Sequence, residues 1–441
     1  MLDILGHRTY RQLFAAQVIA LLGTGLATVA LGLLAFDLAG DDAGVVLGTA
    51  LAIKMAAYVG VAPVAAAFVN SFPRRAVLVS LNLVRAAVAL LLPFVTQIWQ
   101  VYVLIFVLQS ASAAFTPTFQ ATIPDVLLAE KDYTKALSLS RLAYDMESLV
   151  SPMLAAALLT VIDFHDLFAG TVVGFLASAA LVFSVALPKN LALERRSIYD
   201  RTTRGLRIFL ATPRLRGLLA INAVVAAAGS MVFVNTVVIV QADMGLTQTS
   251  VALALALFGA GSMVAALGLP RLLDRLSDRV AMLAGAALLV VGLGVGTQVA
   301  SFTGTLMLWF VLGLGYSTAQ TPSGRLLRRS AQPEDRPALF AAQFALSHAC
   351  WLIFYPLAGW LGARLGIPLT YAGLGLAALM AVLLALRIWP AHDPDMIEHE
   401  HANLPAGNAH LHDGVPAEKG LRRAHPYVVD DHHPRWPGRG G

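Results

Sequence analysis

Long apolar runs, separated by short polar turns, fill the first 389 residues of the chain. A helix needs about 20 such residues to cross a hydrocarbon core that is about 30 Å thick. Helices are favoured over strands because backbone groups in lipid must be paired within the segment, and because the runs are too long for the strands of a barrel. The pattern predicts twelve transmembrane helices, at 12–38, 45–69, 76–97, 99–123, 138–162, 166–187, 216–242, 250–272, 280–300, 304–323, 338–363 and 367–389.

Composition agrees with this pattern. The 441 residues are 58% hydrophobic and 13% charged, whereas a soluble domain carries about 25% charged residues. So few charges cannot cover a water-exposed surface, and most of the outer surface must therefore face lipid. The formal net charge of +5 could suggest nucleic acid, but the basic residues lie in short loops between apolar runs. We therefore expect the lipid bilayer as a partner, and no nucleic acid.

The charges of the loops predict an orientation. The connections after even-numbered spans are basic, with Arg74, Arg75, Lys131, Lys135, Arg271, Arg275, Arg279, Arg325, Arg328, Arg329 and Arg336. The connections after odd-numbered spans carry mainly aspartate: Asp41, Asp42, Asp163, Asp166 and Asp243. Because basic loops stay on the cytoplasmic side, we expect a multi-pass protein of a bacterial inner membrane with both termini in the cytoplasm.

Four regions follow from the spacing of the runs. Residues 1–187 and 216–389 each hold six predicted spans, and 390–441 form a polar tail. Between the two halves, 188–215 interleaves arginines with leucine and isoleucine. This alternation is typical of a basic amphipathic helix on the cytoplasmic membrane surface.

The two halves contain an internal repeat. The loop at 70–75 matches the loop at 274–279 with a displacement of 204 residues, and Pro152 matches Pro356 with the same displacement. Ser-Ala-Ala-Phe-Thr-Pro-Thr at 112–118 matches Ser-Thr-Ala-Gln-Thr-Pro-Ser at 317–323 with a displacement of 205. A parallel repeat of six helices predicts two bundles that face one central site at the bilayer midplane.

These features resemble the major facilitator superfamily over about 1–389. The family's loop between its second and third helices usually reads Gly-x-Leu-x-Asp-Arg-x-Gly-Arg-Arg. The first copy here keeps only Arg74 and Arg75, whereas the second keeps Asp274 and Arg275. The helix-interlocking role of this gating loop is therefore expected to be more secure in the second half. The stretch from Thr116 to Asp125 looks like the drug and siderophore exporter branch. The resemblance implies alternating access by two rocking bundles, and proton-driven export.

The tail is rich in histidine. Eight of the eleven histidines lie in it, and the candidate metal ligands are His399, His401, His410, His412, His432 and His433. Imidazole together with the neighbouring carboxylates suits Ni, Co, Zn or Cu(II). Proline and glycine predict a flexible segment whose ligands gather around an ion without a prebuilt site. The alternative is a solvated tail whose histidines are incidental.

The histidine-rich end on a major facilitator body looks like bacterial nickel-resistance exporters of the NreB type. The closing residues 428–437 and the segment 342–351 carry this resemblance. It implies export of Ni²⁺ or a related divalent ion, with the metal and protons as substrates and no resident cofactor, by a monomer. Two alternatives stay open: export of an organic drug or metal chelate, and a metal sensor without turnover.

Ionisable residues inside spans are costly and are therefore site candidates. The fifth span carries Tyr144, Asp145 and Glu147. The two carboxylates lie about 200° apart around a helix, so they cannot both bind one ion. Arg141, four residues before Asp145, offers that residue a helix pair instead. Glu147 has no such partner in sequence and is the predicted proton or metal carboxylate.

The eleventh span carries Gln343, Ser347, His348 and Cys350. The displacement of 204 places His348 at the position equivalent to Tyr144. A membrane histidine can serve substrate or proton, or can simply bond a neighbouring helix. Cys350 is the single cysteine, so a disulfide framework or thiolate cluster is excluded.

Further polar residues complete the predicted pathway. Lys54 in the second span would repel a metal ion, so we expect it to pair with an acid or to take part in gating. Weaker candidates for cavity lining are Gln17, Thr24, Asn222 and Asn235. No phosphate-binding loop, nucleophile elbow or His-Glu-x-x-His motif occurs in the sequence, so an enzyme is not expected.

Overall fold

The computed structural model describes residues 2–39, 43–69, 71–188, 197–393, 396–401, 415–417, 420–430, 433 and 436. In these residues the chain forms fourteen α-helices. They are α1 (Arg8–Ala39), α2 (Ala43–Val69), α3 (Arg74–Leu91), α4 (Ile98–Val126), α5 (Glu130–Leu158), α6 (Asp166–Phe183), α7 (Ile198–Ala211), α8 (Pro213–Val237), α9 (Gln248–Leu273), α10 (Asp278–Gly296), α11 (Phe302–Gln320), α12 (Ser323–Arg329), α13 (Arg336–Leu365) and α14 (Ile367–Ile388). Short 3₁₀ turns at Leu2–Gly6 and Leu92–Phe94 and a π-helical turn at Val238–Asp243 complete the body.

The predicted fold class is confirmed, and each predicted span falls on one long helix. Eleven helices of the described residues are long and apolar enough to cross a membrane. The twelfth long helix, α5, carries Arg141, Asp145 and Glu147 in its middle turns. We refer to the end of the molecule at which α1 begins and α2, α4, α6, α9, α11 and α14 end as the basic end, because the arginine-rich loops lie there.

Boundaries differ where local chemistry ends a helix. The third predicted span reached residue 97, but α3 gives way to a 3₁₀ turn with Pro93 at its start. Proline has no N–H to continue the helical hydrogen bonds. The fifth span begins at Glu130, eight residues before its predicted start at 138, because a helix that leaves the membrane can continue in water with charged residues.

The amphipathic helix predicted between the halves is α7. The Ser197 side chain accepts a hydrogen bond from the backbone of Asp200 and caps it. One face packs tightly on α13, because a Cβ on Gly205 would lie only 2.0 Å from the carbonyl oxygen of Ala338. Helix α7 is therefore held by protein contacts at the basic end.

Glycine also brings helices of the second half into close contact. A Cβ on Gly261 would lie 2.0 Å from the carbonyl oxygen of Phe310, and one on Gly313 would lie 1.9 Å from that of Phe258. Lipid tails give helices little hydrophobic reason to associate, so such close backbone packing stabilises membrane bundles. The second half holds one large buried cluster around α8, whereas the first half divides its core among several smaller clusters.

Part of the tail, which we predicted to be flexible, has regular secondary structure. Its described residues include three antiparallel strands, β1 (Met396–His401), β2 (Val415–Ala417) and β3 (Gly420–Pro426), in the order β1-β3-β2. The segment that follows the sheet rests on the start of α8. Arg214 donates to the carbonyl oxygen of Tyr427 at 3.3 Å, and its guanidinium lies 4.9 Å from the ring centre of Trp436. The tail therefore docks on the basic end.

Candidate transport site and gate

Glu147 lies in a narrow space between α5 and α1. A Cβ added to Gly25 of α1 would clash with the Ser151 side chain, 2.1 Å from its Oγ, and would lie 3.5 Å from Glu147 Oε1. The glycine therefore allows α1 to approach α5 and brings the carboxylate against the α1 backbone. No ion pair within 4.0 Å holds Glu147 among the residues that the structure describes.

Lys54 connects the Glu147 carboxylate with His348 of the second half. Lys54 is near enough to exert an electrostatic effect on Glu147 and on His348. Its Nζ lies 5.6 Å from the ring centre of Tyr58. The rings of Tyr58 and His348 meet edge to face at 4.7 Å, and His348 Nδ1 lies 2.7 Å from the carbonyl oxygen of Phe344. The cluster thus joins α2 and α5 of the first half to α13 of the second.

Tyr144, the repeat equivalent of His348, adds a hydroxyl to the cluster. It interacts with Gln17 and is within electrostatic reach of Glu147. Gln17 is buried and accepts a hydrogen bond of 3.1 Å from Ser140. The Tyr58 hydroxyl donates to Gln109 at 2.9 Å. These groups form a polar network on the Glu147 side of the first bundle.

Asp145 is occupied by a different set of partners. It forms the helix pair with Arg141 that the sequence offered as an alternative. Ser262 of α9 donates to its Oδ2 at 2.6 Å, and Arg141 also donates to Gln320 of α11 at 3.2 Å. The Asp145–Arg141 pair therefore links α5 to the second half, while Glu147 faces α1, as the separation of the two carboxylates around the helix requires.

The predicted lining residues divide into contacts between helices and contacts within them. Asn222 donates to Gln343 at 3.3 Å, which joins α8 to α13. Asn235 is buried and donates to the carbonyl oxygen of Ala358 at 3.3 Å. The hydroxyls of Ser347 and Thr24 bond to carbonyl oxygens of their own helices, and Thr24 also lines a cavity of about 40 Å³ beside Gln109. Their role as pathway lining stays a prediction.

Arg74 of the first gating loop belongs to a largely buried cluster of three charges. Arg74, at the start of α3, bonds Asp125 near the end of α4 at 2.6 Å. Arg336, at the start of α13, bonds the other oxygen of Asp125 at 2.7 Å. We name Arg74, Asp125 and Arg336 the first triad. It interlocks two helices of the first half and ties them to the second.

The second half has a matching cluster with the signs of charge reversed. Asp278, at the start of α10, lies 2.9 Å from Arg325 of α12, which follows α11. Arg325 in turn bonds Glu130, at the start of α5, at 2.7 Å. We name Asp278, Arg325 and Glu130 the second triad. The displacement of 204 makes Asp278 the equivalent of Arg74.

The charges that interlock at the two gating loops are not the ones that best match the family motif. Asp274, which matches the family pattern, is 49% exposed and lies 3.8 Å from Lys131. Arg74, from the degraded copy, is buried and has close ion pairs. Arg75 lies over the ring of Phe183 at 5.2 Å from its centre. The reason is that burial and partner geometry, not agreement with a motif, decide which charges interlock. No ion pair of Arg275 occurs among the described residues.

The predicted tail ligands are only partly within the described residues. His410, His412 and His432 lie outside them. His399 and His401 lie on β1, opposite Arg423 and Leu421 of β3. His433 is buried, and its Nδ1 lies 2.9 Å from Asp430. Within the part of the chain that the structure describes, no group of three or more His, Cys, Asp or Glu is placed to hold a metal ion.

Most partners at the basic end were not predicted from the sequence. Asp125 was noted only within a family stretch, Arg325 and Arg336 only as basic loop residues, and Asp278 had no predicted role. The repeat displacement could have paired the starts of α3 and α10. Their partners lie across the bundle interface, and no helical periodicity reveals such a pairing.

Comparisons with known proteins agree with this architecture. The profile of the Major Facilitator Superfamily matches residues 13–220 and again 218–408. An uncharacterized MFS-type transporter YfiS of Bacillus subtilis is 22% identical over 394 residues, 85% of this chain and 91% of that one. Macrolide efflux protein A of Streptococcus pyogenes is 27% identical over 153 residues, which are 32% of this chain and 38% of the relative.

Solved structures share the fold at low sequence identity. The human organic anion transporter MFSD10 matches with a TM-score of 0.75 and 13% identity, over 86% of this chain and 99% of that one. A bacterial homologue of the iron transporter ferroportin in an outward-facing state matches with a TM-score of 0.73 and 15% identity, over 86% and 98%. Because the family profile matches both halves of the chain and twelve long helices form its body, the protein belongs to the Major Facilitator Superfamily and is a membrane transporter.

Proposed function

We propose that this transporter is a proton-coupled exporter of Ni²⁺ or a related divalent transition metal, with Glu147 as the coupling carboxylate. The observation that carries the coupling role is the position of Glu147, on the α1 side of α5 and within electrostatic reach of Lys54, which also acts on His348. A proton and a metal ion need the same lone pairs. Protons that enter from outside would therefore displace the cargo.

Lys54 balances charge in this scheme. A single ion at bilayer depth is costly, and a nearby opposite charge reduces the cost. Lys54 compensates an ionised Glu147 when cargo is absent. When a proton or a metal ion occupies the carboxylate, Lys54 becomes the excess charge in the cavity, and this favours a change of conformation.

The proposed cargo rests on the tail and on the resemblance to nickel exporters. His399 and His401 belong to the tail, whose later residue Tyr427 contacts Arg214 at the basic end. Alternating access would open an entrance at this end. The loop charges favour a cytoplasmic basic end, so the tail would deliver metal from the cytoplasm. The metal's remaining ligands would have to gather as the bundles rock.

An organic cargo is the second candidate, and a specific observation favours it. Aromatic rings contact one another beside the central cluster. Tyr58 of the first half meets Phe344 of the second, and a second series in the second half runs through Phe258, Tyr316, Trp351 and Tyr355. Macrolide efflux protein A is among the relatives in sequence. Flat apolar rings suit a bulky organic compound better than a bare ion.

Resistance of cells that express the chain separates the two candidates. We expect growth in raised nickel or cobalt, lower metal accumulation, and no gain of macrolide resistance. Loss of residues 394–441 tests whether the tail delivers metal. Gained macrolide resistance with unchanged metal tolerance would contradict the metal proposal and support organic export. Wild-type cells with neither phenotype, despite normal protein levels, would contradict both.

A further inference from the structure

A second site lies at the basic end, away from Glu147. A cavity of about 710 Å³ opens there, walled by the starts of α8, α10 and α13, by α12, by the α4–α5 connection and by tail residue Val428. Six arginines line it: Arg214, Arg279, Arg325, Arg328, Arg329 and Arg336. Three carboxylates line it with them, from Glu130, Asp278 and Asp393. Positive charge is therefore in excess.

The ion pairs inside the cavity leave part of this charge unmatched. Asp393 bonds Arg214 and Arg329 at 3.3 and 2.5 Å. Arg325 forms ion pairs with both Asp278 and Glu130. Arg328 has no carboxylate within 4.0 Å among the described residues, and its guanidinium bonds only the carbonyl oxygen of Leu128 there.

Two guanidinium groups also have hydrogen-bond donors without an acceptor among the described residues. Arg328 Nη1 and Arg336 Nε are buried and have no hydrogen-bond partner in the described part of the chain. Arg336 is near enough to repel the charge of Arg328. A buried donor without an acceptor costs free energy, as does a pair of close like charges. An anion between the two side chains would relieve both costs.

We propose that this cavity binds a phosphate group, as inorganic phosphate or as the headgroup of an anionic lipid. Planar guanidinium groups offer paired donors that match phosphate oxygens. Arg328 and Arg336 hold the phosphate, and Arg279 adds charge. The walls come from both halves, so the complete site exists only while the basic end is closed. The inference is independent of the cargo.

Thermal unfolding of the full-length protein in an uncharged detergent tests the site. Sodium phosphate should raise the melting temperature in a saturable way, relative to sodium chloride of equal ionic strength. Arg328→Gln should need about tenfold more phosphate for half of the shift, because a charged hydrogen bond is lost. Arg387→Gln is the matched control. Arg387 is an exposed arginine near the end of α14, at the basic end, and it does not line the cavity.

A second experiment, with lipids, distinguishes inorganic phosphate from a lipid headgroup as the source of the phosphate. Native mass spectrometry with phosphatidylglycerol and phosphatidylcholine should show one retained phosphatidylglycerol that Arg328→Gln loses and Arg387→Gln keeps, if the ligand is a headgroup. A response to inorganic phosphate alone would identify the free anion. If Arg328→Gln does not fold, Arg328→Lys can be used instead. It keeps the positive charge but lacks the paired N–H donors of the guanidinium, so it should weaken binding. Equal responses of the wild type and the Arg328 variants to both ligands, or no wild-type response to either, would overturn the proposal.

Discussion

The two triads at the basic end make the same connections with opposite charges. In the first, Asp125 lies between Arg74 and Arg336; in the second, Arg325 lies between Asp278 and Glu130. Each joins the start of one helix to the end of the next and then crosses to the other half. Only Arg74 and Asp278 are equivalent under the displacement of 204, so the two triads make similar connections through partners at different positions of the repeat. A search for one charge pattern recognises only one of the triads.

The two triads differ in how deeply their side chains are buried. Arg336, the cross-bundle member of the first, is 15% exposed, whereas Glu130, its counterpart in the second, is 65% exposed. Water and salt weaken exposed ion pairs, while loss of one partner of a buried pair is costly. The first triad should therefore do more to keep the basic end closed. Spin labels attached to Phe72→Cys and Leu276→Cys, introduced together in a Cys350→Ala background, can report the distance between the two halves.

Asp125→Asn should have the largest effect. The substitution removes the carboxylate that Arg74 and Arg336 share in a buried site. We expect a shift toward an open basic end of about 3 kcal/mol, about a hundredfold in the equilibrium constant. Distances between the labels, measured by electron spin resonance, should lengthen in most molecules.

Reversal of all three charges is the matched control for Asp125→Asn. The second triad works with reversed signs, so Arg74→Asp, Asp125→Arg and Arg336→Asp together should restore part of the closed population. If Asp125→Asn leaves the label distances unchanged, the first triad does not hold the gate.

Arg325→Gln should have an intermediate effect. It removes the bonds to buried Asp278 and to exposed Glu130, and one to Thr134 at 3.1 Å. We expect a shift of about 2 kcal/mol toward the open state, since an inner ion pair and a charged hydrogen bond are lost. A shift larger than that of Asp125→Asn in the same label distances would reverse our ranking of the triads.

Glu130→Gln isolates the exposed link of the second triad. Because this side chain is 65% exposed, we expect a shift below about 1 kcal/mol. The difference from the free-energy shift of Arg325→Gln shows how much of that shift comes from the ion pair with buried Asp278. An effect equal to that of Arg325→Gln would show that the cross-bundle bond, not the inner one, dominates.

Asp274→Asn should have the smallest effect, although Asp274 best matches the family motif. It lies 3.8 Å from Lys131, and both side chains are about half exposed or more. We expect about 0.3 kcal/mol or less, and none at 1 M salt, where screening is strong. A large, salt-insensitive opening would support the gating role that we predicted for this loop from its motif.

The sequence predicted the twelve helices well and their pairings poorly. Apolar runs dictate where helices cross a membrane, so even the amphipathic α7 was recognised. The separation of Asp145 and Glu147 also followed from helix geometry. The partners of Arg74 and Ser262 were not predictable, because contacts between helices depend on how bundles pack. Glycines such as Gly205 and Gly25 set those approaches, and their effect is visible only in three dimensions.

Transport in proteoliposomes tests the central claim most directly. With an inward proton gradient, purified wild-type protein should move Ni²⁺ against its concentration gradient, and collapse of the proton gradient should stop it. Glu147→Gln should abolish this flux while the protein remains folded, whereas Glu334→Gln, at the basic end, should retain it. Undiminished proton-driven flux in Glu147→Gln would contradict the coupling role that we propose for this carboxylate.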